Sequence, residues 1–261
     1  MKSRELFETF FYPLVRINEI YRSTDEQGDL VVYEFKDYRA LTFGSVFEQS
    51  RVRIHQPLQL EHEYTQAMLL PLMLEQPRHV TLLGLGAGVL ASYLFHSFDY
   101  LLITAVEWRE SVIDIAHEFF SLPVDARLHV IHDDAGRYIA TVEHASTDWI
   151  LSDLFTADAM SDVQLQADFY RNCFDALSER GWLVLNFHGS PSIECPAMRA
   201  VSAQFSSVFM ITVRSGNRIV LACKNTVQWP KPGQALPAGL PIELADAFLR
   251  LHARIISLGT S

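Results

Sequence analysis

An α/β chain built on a doubly wound, mostly parallel sheet is what this sequence predicts, and three observations predict it. From Val80 to Phe187 apolar runs of strand length alternate with helical patterns, as in a sheet whose parallel strands are joined by helices. The first of those runs ends in a glycine turn, Gly84-Leu85-Gly86-Ala87-Gly88. Antiparallel pieces are expected on either side: a small β meander before the alternation, and after it two strands meeting at Ser215-Gly216-Asn217 as an edge hairpin.

Taken in order, Leu30–Phe35, Tyr38–Phe43 and Val46–Ile54 read as the meander. Glu63–Glu75 carries Ala67, Met68, Leu69, Leu70, Leu72, Met73 and Leu74 and stops before Pro77, which predicts a helix running through Pro71. Strands are then expected at Val80–Leu83, Leu101–Val106, Leu128–Ile131, Trp149–Leu151 and Trp182–Phe187. Helices are expected from Val89, over Ser111–Phe120, around Gly136–Val142 and over Gln164–Glu179. The helical pattern resumes over Ala197–Phe205, Val208–Val213 and Arg218–Cys223 form the hairpin, and Ile242–Ile256 reads as a terminal helix. This divides the chain into an N-terminal segment, 1–75, and a nucleoside-binding catalytic domain, 76–261.

Composition narrows the function. With 49% hydrophobic and 20% charged residues, the 261-residue chain is not disordered. Its net charge of −10 has the wrong sign for nucleic acid and favours a cationic small molecule. Three cysteines, Cys173, Cys195 and Cys223, are widely spaced without a CxxC and read as buried thiols of a reducing compartment, the cytoplasm. The N-terminus lacks a continuous apolar signal core, and the charge-free run His79–Phe98 holds Gly84, Gly86 and Gly88, so it reads as strand, turn and helix and no membrane span is expected. His129 and His132 sit three apart on a strand and point to opposite faces, so no metal site is expected. The motifs of serine hydrolases, zinc proteases and P-loop enzymes are missing.

In an open parallel sheet ligands bind beyond the carboxyl ends of the strands. The first strand ends in the glycine turn, where Gly84, Gly86 and Gly88 let a ligand approach the backbone and the next helix's N-terminus. Val89 stands where a dinucleotide motif has its third glycine, which argues against a nicotinamide cofactor. The second strand ends in Glu107, suited to the two hydroxyls of a ribose, and the third in Asp133-Asp134-Ala135, where a carboxylate accepts from an adenine amine or caps the next helix. The fourth ends in Ser152-Asp153. Four such strand ends together predict a nucleoside site.

These residues resemble the spermidine synthase family, the aminopropyltransferases, whose fold is Rossmann-like and of the class I methyltransferase type. The resemblance covers most of Tyr38–Gly189 through Phe47-Glu48-Gln49-Ser50, Tyr64-Thr65-Gln66-Ala67-Met68, residues 84–88, Val106-Glu107, Asp133-Asp134-Ala135 and Ser152-Asp153. It implies that Glu107 holds the ribose, Asp134 and Ala135 the adenine, and Gln49 the donor, with Tyr64 facing a proton-accepting Asp153 across the acceptor site. The implied donor is decarboxylated S-adenosylmethionine or S-adenosylmethionine itself, the implied acceptor a small amine, and the implied assembly a homodimer; Phe7, Phe10, Phe11 and Tyr12 read as core or dimer-contact residues, and the family's dimers favour the latter. Three positions depart from the family pattern: Ala87 replaces an Asp that pairs with the donor amine, Thr156 replaces a second acceptor-site Asp, with Asp158 nearby, and Thr65 replaces His or Gln. Weak activity on putrescine follows, with a gain in donor binding on Ala87→Asp. An S-adenosylmethionine-dependent methyltransferase and an inactive nucleoside-binding member are the alternatives.

Overall fold

A computed structural model describes residues 17–44, 48–154, 162–187, 195–231 and 234–258. Two sheets organise the chain. The smaller is an antiparallel meander of β1 (Ile17–Asp25), β2 (Gly28–Phe35), β3 (Tyr38–Thr42) and β4 (Glu48–Arg53). It begins earlier than expected, because β1 alternates polar and apolar residues too weakly to be read alone and gains its strand conformation from pairing with β2.

The larger sheet has eight strands: β5 (His79–Leu83), β6 (Leu102–Glu107), β7 (Leu128–His132), β8 (Thr147–Ser152), β9 (Leu177–Phe187), β10 (Ser207–Thr212), β11 (Arg218–Cys223) and β12 (Ile256–Ser257). Their spatial order is β12-β10-β11-β9-β8-β5-β6-β7. The strands from β9 to β7 are parallel, and β11, β10 and β12 add antiparallel to the edge. Alternate side chains enter opposite layers: Trp182 and Val184 join one core, with α1 (Glu63–Met68), α2 (Val89–Ser97) and α7 (Ile242–His252). Leu183, Leu185 and Phe187 join the other, with α4 (Ala135–Ile139), α5 (Ala167–Ala176) and α6 (Pro196–Gln204).

Several boundaries differ from the sequence reading for local reasons. The helix expected through Pro71 is α1 followed by a 3₁₀ turn, Leu70–Met73, since proline has no N–H for an α-helical bond. The helix expected to Glu179 stops at Ala176, and residues from Leu177 already belong to β9, where Leu177 pairs with Thr147. The terminal helix ends at His252, and Ile256 lies in β12 beside Met210. Among the described residues no helix is long and apolar enough to cross a membrane, and no cluster of three metal-ligating side chains occurs. Phe7, Phe10, Phe11, Tyr12, Phe47, Thr156 and Asp158 lie outside the described residues.

The small sheet docks through an apolar cluster in which Leu30, Val32, Leu41 and Val52 meet Ala87 and, from α3 (Glu110–Phe120), Val112, Ile115 and Phe120. A buried ion pair adds to it. The Arg109 guanidinium donates to Asp25 Oδ2 at 3.0 Å, Asp25 Oδ1 at 2.7 Å and the Gly28 carbonyl at 2.8 Å, and it lies over the Phe43 ring. The contact brings β4 against the glycine turn.

Candidate active site

The turn after β5 is fastened on both sides. Gly84 N donates to the Val106 carbonyl at 2.9 Å, and Asp153 N donates to the Leu83 carbonyl at 2.8 Å. Gly84 has φ +92°, and a Cβ there would lie 2.4 Å from the Asp153 carbonyl oxygen. Only glycine permits this approach. It sets the end of β8 directly against the turn. On the outer side Ser50 Oγ accepts from Ala87 N at 3.1 Å, so a residue of β4 completes the wall. Gly88 caps α2 in the left-handed region.

Glu107 ends β6 with its carboxylate turned back over the turn and is 8% exposed. Its Oε2 accepts from Leu85 N at 3.1 Å and Gly86 N at 3.4 Å, and its Oε1 from Arg109 N at 3.0 Å. A carboxylate has about four acceptor sites, so capacity is left for ribose hydroxyls. The neighbouring strand end is held by Asp133 N donating to the Glu107 carbonyl. Asp133 pairs with Arg137, which holds its carboxyl below the usual range. Asp134 realises the capping role: its Oδ1 accepts from Arg137 N at 2.9 Å at the head of α4, with Ala135 buried beneath it.

Asp153 and Tyr64 come together. Tyr64 enters from α1, and its hydroxyl is pushed well above the usual tyrosine value by burial and then by the Asp153 carboxylate. The same hydroxyl lies 3.5 Å from the Gln49 carbonyl, which brings Gln49 to the edge of the site through its backbone. Asp153 is half-buried, and its carboxyl is raised to about 6 by burial, against the opposing hydrogen bonds of Asn186 and Tyr64. Beside Tyr64, His62 is pushed down to about 4 by burial and by the Arg51 charge, so it is neutral at neutral pH.

Two of the departures have structural explanations. Thr65 is buried and donates from Oγ1 to the His62 carbonyl at 2.7 Å, so it stabilises the first turn of α1. Ala87 is 1% exposed within the apolar cluster under the small sheet. Ala87→Asp is therefore expected to lower the melting temperature of the free protein, because a carboxylate buried without a partner is penalised. Unfolding measured with and without donor separates that loss from the gain in donor binding implied by the resemblance; an unchanged free-state melting temperature would refute the burial argument.

Sequence reasoning missed Asn186 and Asn217. Asn186 Nδ2 donates to Asp153 Oδ1 at 2.8 Å, and Asn217 Nδ2 donates to Asn186 Oδ1 at 2.9 Å. The available signal was an asparagine in the apolar run Trp182-Leu183-Val184-Leu185-Asn186-Phe187, since a buried amide needs partners.

The family model of the spermine/spermidine synthase domain matches residues 61–218, from the start of α1 through the hairpin turn. The chain belongs to the spermine/spermidine synthase family. A polyamine aminopropyltransferase of Neisseria meningitidis is 33% identical over 159 residues, covering 60% of this chain and 60% of the relative. One from Chromobacterium violaceum is 30% identical over 166 residues, covering 63% and 64%. The chain thus spans less than two thirds of the length of these curated relatives. Among solved structures, a probable spermidine synthase from Corynebacterium glutamicum superimposes with a TM-score of 0.73 at 18% identity, over 91% of this chain and 89% of that one. Human methyltransferase-like protein 13, bound to SAH, superimposes with a TM-score of 0.58 at 22% identity, over 72% and 91%. These likenesses establish the Rossmann-like, methyltransferase-type fold of this family member.

Proposed function

We propose that this family member is an aminopropyltransferase that takes decarboxylated S-adenosylmethionine as donor and a small amine as acceptor. The observation that carries the reading is Asp153: a carboxylate raised to about 6, seated between Tyr64 and Asn186 and against the glycine turn. In the reaction an amine lone pair attacks the carbon bonded to the sulfonium sulfur. The C–N bond forms, the C–S bond breaks, and methylthioadenosine leaves with the electron pair. The new ammonium then loses a proton, which Asp153 accepts, being ionised above pH 6. Glu107 holds the ribose, Asp134 and Ala135 border the adenine, and Gln49 with the backbone of Gly84, Gly86 and Gly88 bounds the donor. Tyr64 orients Asp153 and borders the acceptor.

Incubation with decarboxylated S-adenosylmethionine and a panel of mono-, di- and polyamines is expected to release methylthioadenosine, with putrescine a poor acceptor. Release of adenosylhomocysteine from S-adenosylmethionine instead would favour a methyltransferase, a reading supported by the lack of a carboxylate at Ala87. Binding of nucleoside without either product would mark an inactive member. We also read the protein as cytoplasmic, in keeping with its three free thiols, and as a homodimer, which rests on the family resemblance alone; a monomeric mass in solution would reject the dimer.

A further inference from the structure

The side chains behind Asp153 form an ordered chain of hydrogen bonds that begins outside the parallel sheet. Ser215 Oγ donates to Asn217 Oδ1 at 2.7 Å, Asn217 Nδ2 to Asn186 Oδ1 at 2.9 Å, and Asn186 Nδ2 to Asp153 Oδ1 at 2.8 Å. Its direction is forced. An ionised carboxylate only accepts, so Asn186 must present its NH₂ to Asp153 and its oxygen to Asn217, whose NH₂ must face it in turn. Every donor therefore points toward Asp153, and the amide dipoles add along the chain. Asn186 is 1% and Asn217 7% exposed, so water competes little.

The backbone holds the source of this chain in place. Val213 N donates to the Asn217 carbonyl and Gly216 N to the Val213 carbonyl, with Gly216 at φ +92°, which closes the turn between β10 and β11. Antiparallel pairing places Ile219 opposite Asn186, so the start of β11 lies beside the end of β9. The same turn is tied to α1, where Arg214 N donates to Glu63 Oε2 at 2.6 Å, next to Tyr64.

We propose that Asn217 and Asn186 are positioning residues that set the orientation and proton affinity of Asp153, so that the β10–β11 turn acts on the reaction through two side-chain amides. The inference rests on reading Asp153 as the proton acceptor. Among the described residues, the titratable group facing Asp153 is Tyr64 from α1, while β9 and the turn after β5 bring the neutral Asn186 and Gly84. Burial raises the Asp153 carboxyl and Asn186 opposes the rise, so the ordered amides hold it near 6.

Asn217→Asp keeps the shape and reverses the polarity: Asn186 is expected to turn its NH₂ toward position 217 and its oxygen toward Asp153. Carbon-13 NMR of the labelled aspartate carboxyls, with Asp153 assigned by its absence in Asp153→Asn, is expected to give a midpoint raised by about one pH unit, the scale of one hydrogen bond to a charged group. The acidic limb of kcat/KM for aminopropyl transfer should move up by the same amount. Asn217→Ala, which removes the donor without adding charge, should move both in the same direction by less and serves if the Asp variant does not fold. An Asp153 midpoint unmoved in a folded variant, even with a lowered melting temperature, overturns the proposal. If the wild-type chain transfers no aminopropyl group to any amine, the functional reading fails, and the NMR titration still decides the relay.

Discussion

Asp153→Asn is expected to lower kcat for aminopropyl transfer by about 10²–10⁴-fold, the usual worth of a positioned proton acceptor, with donor affinity little changed. Asparagine keeps the shape and still accepts from Asn186, so what is lost is basicity. A folded variant turning over near the wild-type rate would remove Asp153 from the mechanism. The same substitution has an opposite effect on stability. Since the folded-state value, about 6, lies above that of an exposed aspartate, the stabilisation associated with protonated Asp153 is full below pH 4 and is lost as the pH rises through 6. Asp153→Asn should therefore melt higher than wild type at pH 8, with the two converging near pH 4. Equal melting curves at pH 8 would contradict burial as the cause of the raised value.

Glu107→Ala is expected to weaken methylthioadenosine binding by roughly 10–150-fold, since hydrogen bonds to a charged group are worth about 1.5–3 kcal/mol. The carboxylate also satisfies Leu85 N, Gly86 N and Arg109 N, so the substitution should destabilise the free protein as well. Calorimetry giving wild-type affinity in a folded Glu107→Ala protein would show that the ribose is held elsewhere. Glu107→Gln keeps one carbonyl acceptor and is expected to fall between the two.

The parallel core was legible because its strands are buried on both faces and read as continuous apolar runs, and because ligand groups follow their carboxyl ends by topology alone. Glu107 and Asp153 could be picked out that way. Asp134 could not be assigned to one role, since a cap and an adenine acceptor demand the same residue in the same place, and the structure engages its Oδ1 as a cap. Asn186 escaped notice because it lies inside an apolar run and its partner, Asn217, comes 31 residues later. Strand β1 and the pairing of β12 with β10 escaped for the same physical reason: short or weakly patterned segments take their conformation from a partner, which periodicity along one segment does not register. Residues 177–180 carry Ser178, Glu179 and Arg180, which suit a helix as well as they suit the exposed start of β9.

The insertion of β11 between β9 and β10 also dictates the order in which abilities are acquired during synthesis. By the time Asp153 has left the ribosome, the glycine turn, Glu107 and Asp134 have already been made. Asn217 follows 64 residues later, several seconds at about 5–20 residues per second. In the later part of that interval, once Leu177–Phe187 has been made, β9 presents an unpaired edge, the kind of surface that recruits strands from other chains. A nascent chain stalled before the hairpin would hold every strand end in the proposed nucleoside site, but would lack the pair of amides proposed to tune Asp153.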